Sequence, residues 1–419
     1  MRAVVPVAVL LAIVFGLSGT GTSAATVGLP QLAAEFGISP SDAAWMVSAF
    51  AVAFAVATPL QGRLGDLLGI RIPLVVGISA MALGAVISAC APSFAVLLPA
   101  RVLQGVGSAA GPVLVTAFVT IRYQGAQRST ALGLIAGFSS IIYSLGPLAG
   151  GLLVSIAGWR APLALPALVV LAAIPLWRMT PARGTGERID LVGATLVAGT
   201  ASGMVLLLQS PSTGLVAAAV GAALLVTAGI PLVAWVRAHP EGFLPRAIIT
   251  NGTVLRSAFA AAAVPATVFA LLLGIPLVVA SWGWSPLAAG LVLVPSALTG
   301  FISPWLARFM LDRFGPTRSL VVTCPGALGA LVLAALGSAL RTPVPLVLAG
   351  VLLTLTFGVA QPALMAAVSF AVDPQRRGVA VGIAMLMFFV GASVGAATVG
   401  GLADLIDLSA IFVVLAVLP

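Results

Sequence analysis

Apolar runs of about 20 residues recur from one end of the chain to the other, separated by short polar stretches that carry arginine. A run of that length is what a helix needs to cross a hydrocarbon core of ~30 Å at 1.5 Å per residue. The short alternating segments of a membrane barrel are absent, so the runs read as helices that satisfy their backbone hydrogen bonds internally. Their boundaries predict spans near 3–29, 43–61, 72–91, 94–119, 130–157, 161–178, 190–208, 214–236, 253–280, 287–307, 318–340, 343–370, 378–402 and from 407 onward, fourteen in all. The last offers about 12 residues, roughly 18 Å of helix, too little to cross unaided.

The sharpest polar interruption is 62–71, a charged turn between two long apolar runs. The stretch 308–318 repeats it 246 positions later: Asp66 with Gly69 matches Asp312 with Gly315, and Leu74-Val75-Val76 matches Leu320-Val321-Val322. A half-molecule repeat with its charges on matching short loops is a transporter pattern rather than an enzyme pattern. Two longer polar loops, 179–188 and 237–252, bracket a pair of spans that stands outside the repeat. The predicted organisation is an N-terminal six-helix bundle over 1–178, a linker with an inserted two-helix hairpin over 179–252, and a C-terminal six-helix bundle over 253–419.

Composition turns the span count into a class. The chain has 419 residues, 61% hydrophobic and 7% charged, with a mean hydropathy of +1.22, which no soluble globular domain can hide; its first partner is the lipid bilayer. The net charge of +9 comes from nineteen basic residues, all arginine. Sixteen fall on one set of alternate loops, only Arg160 and Arg341 on the other, and Arg101 within a span. Positive charge stays in the cytoplasm, so the bias predicts a multi-pass protein of the cytoplasmic (inner) membrane with its N-terminus inside. No aromatic-interleaved basic patch points to nucleic acid. Cys90 and Cys324 lie in apolar runs without metal-ligand spacing, and His239 sits in a polar loop beside Pro240; no metal and no cofactor is expected. The first run is too long for a secretory signal and leads directly into a second span.

The candidate chemistry is sparse. Arg101 lies inside the fourth run, followed by Gln104, Gly105, Gly107 and Gly111. A charge inside an apolar helix costs at least a few kcal/mol, which makes it a functional candidate, while the glycines admit a close second backbone. Snorkelling to the nearer end is the plain alternative. The first span offers Arg101 backbone carbonyls, the hydroxyls of Thr22 and Thr26, and Gln31 near its outer end. The fifth run carries Gly146, Pro147, Gly150 and Gly151, where Pro147 bends the span and the glycines flatten a face; Gly391 and Gly395 answer in the thirteenth, with Ala396 in place of the proline. A cavity lining is proposed from Thr22, Thr26, Tyr143, Gln361, Met385 and Phe388, an adaptable neutral surface. Asp66 and Asp312, helped by Arg71, are expected to act as conformational latches against helix N-termini of the opposite half, near Gly378 and Ser129.

These residues resemble the major facilitator superfamily, and within it the fourteen-span drug:proton antiporters. The stretch 62–71 is similar to its motif A, 101–111 to motif B, 146–151 to the antiporter motif C, and Ile189-Asp190-Leu191-Val192-Gly193 to the sequence that opens the inserted hairpin of fourteen-span members. The resemblance covers essentially the whole chain and implies an all-α membrane protein of the major facilitator fold, with alternating access, protons as coupling ion and small amphipathic drugs as substrates. The chain departs from the pattern at Ile142, where the family usually has Gly. It departs again in the first span, where the acidic position is Gly21 and the Asn position Thr26. No carboxylate lies deep in any span, which removes the usual counter-ion for organic cations. The leading expectation is export of small amphipathic compounds; the alternative is a uniporter or uptake carrier for a neutral solute. A polytopic enzyme needs positioned acids, bases or metal ligands that the spans lack.

Overall fold

The computed structural model describes the whole chain except residues 1–3, 125–126, 128–130, 132–133, 136–137, 140, 144, 181–189, 241, 245, 373–376 and 404, and at some helical positions, Thr22 and Asp66 among them, the backbone alone. Every regular element among the described residues is helical. Ten helical segments are long and apolar enough to cross a membrane, and 141–157, 191–204 and 286–296 are shorter apolar helices.

In chain order, α1 (Val4–Ser23) passes through a 3-10 turn (Ala25–Gly28) into α2 (Leu29–Phe36). Then come α3 (Pro40–Leu68), α4 (Arg71–Ala89), α5 (Phe94–Ser108), α6 (Ala110–Arg122) and α7 (Gly146–Ala157). The first half closes with α8 (Arg160–Ala164), a 3-10 stretch (Leu165–Ala172) and α9 (Ala173–Met179). After these follow α10 (Leu191–Leu224), α11 (Ile230–Ala238), α12 (Arg246–Ile249), α13 (Gly252–Ser281), α14 (Pro286–Val292) and α15 (Val294–Thr299). The chain ends with α16 (Ser303–Ala339), α17 (Pro343–Phe370), α18 (Arg377–Leu402) and α19 (Leu408–Leu415).

Helix starts follow local chemistry. The Ser39 hydroxyl accepts from the Asp42 N–H ahead of Pro40, the Ser285 hydroxyl accepts from Ala288 ahead of Pro286, and Asn251 accepts from Thr253 and Val254. Each supplies an acceptor for N–H groups that a first turn leaves open, and proline fits that turn because its missing donor is not needed there. Asn251 also donates to the Ala371 carbonyl at 3.1 Å, tying the start of α13 to the end of α17.

The two charged repeats take one backbone shape. Both stay helical through their aspartate and turn only at the glycine: Gly69 has φ 78° and ψ 163°, Gly315 φ 74° and ψ 168°. These left-handed values favour a residue without a Cβ. The polar interruption expected as a loop over 308–318 is therefore helix as far as Phe314, broken at Gly315 alone.

Residues 7–179 share one buried apolar cluster of their own, and two further clusters mix residues from before 165 with residues after 190. Between early and late helices, α3 packs on α18 and α7 on α14. Helix α10 packs on α18 and, less extensively, on α3. A straight helix would hold Gly203 and Gly221 ~27 Å apart, yet a Cβ on Gly203 would lie 2.8 Å from the Gly221 carbonyl oxygen. The chain accordingly reverses between them.

Asp190 fixes the base of this segment. Its carboxylate accepts from the N–H of Gly193 (2.8 Å), the N–H of Phe243 (2.8 Å) and Trp235 Nε1 (3.1 Å), joining α10, α11 and the following loop. Partial burial raises the Asp190 pKa, but the donors Phe243, Gly193 and Trp235 outweigh it and hold the carboxyl below its ordinary value. A depressed pKa contributes stability above the unfolded value of about 3.9 that is lost as pH falls through the folded value. Asp190→Ala should cost ~1–2 kcal/mol, the scale of a lost helix cap. In thermal unfolding followed from pH 7 to pH 3, Asp190→Asn should lack part of the acid-side loss that the parent shows; identical acid profiles would remove the carboxylate from this role.

Candidate functional site

Helix α5 is wedged between α3 and α4. A Cβ on Gly105 would lie 2.5 Å from the Phe50 carbonyl oxygen, and one on Gly84 2.6 Å from the Gln104 nitrogen. Only at such spacing do carbonyls of neighbouring helices come within reach of a side chain on α5. Arg101 uses that reach. It is fully buried, so snorkelling is excluded. Its Nε donates to the Met46 carbonyl at 3.0 Å, and its Nη1 donates to Gln104 Oε1 at 2.7 Å and to the Gly21 carbonyl at 3.4 Å. The guanidinium also lies 4.8 Å from the centre of the Phe50 ring, a cation–π arrangement.

One first-span contact is thus a backbone carbonyl, that of Gly21. The Thr26 hydroxyl donates to the Ser23 carbonyl at 3.0 Å, and the Thr22 side chain lies outside the described residues. The structure also shows why position 21 bears no side chain: a Cβ there would meet Pro166 Cγ at 2.5 Å and Gln104 Nε2 at 2.7 Å. Gln104 Nε2 is buried without a hydrogen-bond partner. At the other departure, Ile142 fills the space left by Gly16, where a Cβ would lie 2.7 Å from Ile142 Cβ.

On the far side of Phe50 lies a cavity of about 600 Å³, lined from both halves of the chain. Phe15, Phe50, Phe54, Tyr143 and Pro147 come from the first half, Phe269, Phe357, Gln361, Met365 and Phe389 from the second. Most of its hydroxyls are committed to backbone carbonyls: Ser23 donates to those of Tyr143 and Thr20, Thr354 to Gly350, and Ser303 to Gly300. Tyr143 and Gln361 offer the unspent polar chemistry, the Gln361 amide making only a 3.9 Å contact to Met385 Sδ. Among the described residues, charge enters the wall only at Arg308 and Asp312, a 3.5 Å ion pair whose side chains are 83% and 72% exposed.

Past the opposite end of the cavity, α7 and α14 touch backbone to backbone. A Cβ on Gly151 would sit 2.8 Å from the Pro286 carbonyl oxygen, and one on Gly290 2.6 Å from that of Pro147. Pro147 stands in the first turn of α7, after an interruption at Leu145, whereas α18 runs unbroken past Ala396. Gly146 and Gly150 face Ser23 and Ala24 of the first span, as Gly391 and Gly395 face Ala262 and Ala266 of α13.

Several expected residues lie elsewhere. Thr26, Met385 and Phe388 do not reach the cavity surface; they are buried behind it, Phe388 between Phe357 at 5.8 Å and Phe389 at 5.4 Å. Arg71 does not reach the opposite half: its Nε donates to the Thr180 carbonyl at 3.0 Å and its guanidinium lies over Trp177. Ser129 and the side chain of Asp66 lie outside the described residues, so the latch contacts do too. Sequence reading missed Phe15, Phe50, Phe54, Phe269 and Phe357 of the wall, since an apolar residue facing a cavity looks like one facing lipid. It also missed a clasp in which Glu35 accepts from Trp159 Nε1 and from Arg160 Nη1, both at 2.6 Å. Arg160, one of two arginines on the arginine-poor side, was its only trace.

A sequence profile described as Major Facilitator Superfamily matches residues 11–396. The chain belongs to the Major Facilitator Superfamily. Among its relatives in the superfamily, the multidrug resistance protein Stp of Mycobacterium tuberculosis is 29% identical over 408 residues, covering 89% of this chain and 71% of that protein. The puromycin resistance protein pur8 of Streptomyces alboniger is 30% identical over 75% of this chain and 63% of its own length. The cephamycin export protein CmcT of Amycolatopsis lactamdurans is 32% identical over 42% and 37%. In fold, the chain is similar to a POT family transporter solved with a thioalcohol-conjugated peptide, with a TM-score of 0.74 at 12% identity over 99% of this chain and 93% of that one. The protein is a multi-pass membrane transporter of this superfamily, whose members are not enzymes.

Arg101→Lys keeps the charge but loses the planar fork that reaches Met46, Gly21 and Gln104 together. Losing one charge-assisted hydrogen bond, worth ~1.5–3 kcal/mol, should slow transport at least about tenfold while membrane levels stay normal. Arg101→Ala should insert and be inactive. Transport by both variants at the parental rate would reduce Arg101 to a packing residue.

Proposed function

We propose that this transporter exports small, largely apolar amphipathic compounds, antibiotics among them, by rocking two six-helix bundles, 1–178 and 253–419, about the central cavity. In this reading the chain has about fourteen spans, 179–252 is a linker with an inserted hairpin, the arginine-rich end faces the cytoplasm and the membrane is the cytoplasmic one. The observation that carries it is the cavity itself: its volume suits a drug-sized ligand, both halves contribute to its wall, and phenylalanine dominates it, with Tyr143 and Gln361 as polar handles. The multidrug resistance, puromycin resistance and cephamycin export for which Stp, pur8 and CmcT are named support the direction of transport.

Export against a gradient needs a driving ion, and protons are the proposed one, carried through water or substrate beside Arg101. Asp66 and Asp312 serve as latches at the arginine-rich end, where Asp312 is exposed and paired to Arg308. A second reading, uniport of a neutral solute, is favoured by a wall whose only carboxylate among the described residues is Asp312 at its mouth.

Proteoliposomes carrying the full chain separate the two. Under an imposed pH gradient, substrate should drive proton movement in the antiporter reading and none in the uniporter reading. Tyr143→Phe and Gln361→Leu should each weaken transport of a hydrogen-bonding substrate by about 5- to 10-fold, the loss of ~1 kcal/mol from one neutral hydrogen bond. Parental affinities in both variants would move the substrate away from these two residues.

A further inference from the structure

The mouth of the cavity carries a second feature that transport alone does not use. Trp305, Arg308, Phe309, Asp312 and Arg313 form one stripe on α16, at the i, i+3 and i+4 spacings that share a helix face, and they line a groove of about 370 Å³. Trp305 and Phe309 stack with ring centres 6.0 Å apart and planes 13° from parallel, and both are strongly exposed, at 68% and 49%. Arg308 is paired with Asp312, whereas Arg313 makes no hydrogen bond or ion pair to a described residue. The groove therefore holds one arginine beyond charge balance, next to exposed aromatic rings, within a few residues of the backbone break at Gly315.

We propose that this face of α16 binds the phosphodiester head group of an anionic phospholipid. Arg313 supplies charge-assisted hydrogen bonds to the phosphate. The Trp305–Phe309 pair lies against the glycerol and upper acyl carbons, the depth at which amphipathic rings settle. A soluble anion has no use for the aromatic pair, and a neutral apolar compound has none for Arg313; a phospholipid matches both. Arg308 and Asp312 line the groove and the cavity alike, so the lipid sits at the cavity mouth.

The test uses the full chain in phosphatidylcholine bilayers that contain either brominated phosphatidylglycerol or brominated phosphatidylcholine. Bromine quenches nearby tryptophan, and the difference between the parent and Trp305→Phe isolates the share due to Trp305. One arginine near an anionic surface contributes about a five-fold gain in binding, so Trp305 should report about a five-fold preference for the anionic lipid, falling to about one in Arg313→Gln. Should Trp305→Phe fail to reach the membrane, lipid retained by the parent and by Arg313→Gln in native mass spectrometry gives the same comparison. Equal quenching by both lipids in the parent, a preference that survives Arg313→Gln, or its abolition by millimolar inorganic phosphate would each overturn the proposal. The readout is lipid contact, so it stands or falls independently of which solute is exported.

Discussion

Helices in a bilayer gain little by exchanging lipid for each other's apolar sides, so they hold together where two backbones come close enough for dense contact. Nearly every junction of this molecule rests on that constraint. Gly105 brings α5 onto α3, Gly84 brings α4 onto α5, Gly150 meets Ala24, and Gly395 meets Ala266. The buried guanidinium depends on the same closeness, because the Met46 carbonyl is 3.0 Å from Arg101 Nε only while α5 stays pressed against α3. A larger residue at position 105 would act on Arg101 without touching it.

The burial of Arg101 in turn shapes the wall. A guanidinium stays charged in any setting, and among the described residues it donates to the neutral oxygens of Met46, Gly21 and Gln104. Phe50 stands between that charge and the cavity, presenting one face to each. From Phe50 a line of rings continues through Phe54 (6.0 Å), Phe389 (4.6 Å) and Phe388 (5.4 Å) to Phe357 (5.8 Å), crossing from the first half to the second. The packing around the charge and the surface that meets a solute are one continuous set of contacts.

What the sequence made legible was whatever interrupts apolarity. The ends of α13, α17 and α18 fall within a residue or so of the hydropathy boundaries, and the matched aspartates and glycines of 62–71 and 308–318 marked two turns of one geometry at Gly69 and Gly315. Arg101 was conspicuous because a charge in a span is costly. The direction in which an apolar residue points was not legible. Lipid, a packed neighbour and a drug cavity all accept Phe or Met, so no periodicity told Phe389, at the cavity, from Phe388 and Met385, behind it. Of the partners of Arg101, a first-span carbonyl was expected and the Met46 carbonyl of α3 was not: carbonyls belong to every residue, and the sequence does not say whose approach a glycine admits.

Two of the junctions between early and late helices are built differently, and this bears on how the cavity can change shape. Between α7 and α14 the contact is backbone on backbone, at Gly151 with Pro286 and Gly290 with Pro147. Dispersion falls steeply with distance, so a gap of even 0.5–1 Å forfeits a quarter to a half of each contact. Such a seam is either shut or open. Between α3 and α18 the Phe54 and Phe389 rings meet edge to face, and rings can slide and re-stack while staying in contact. Under the proposed rocking, the phenylalanine side suits the axis and the glycine and proline side suits the gate, which places Pro147 and Gly151 where a substitution of one methyl group would be felt most.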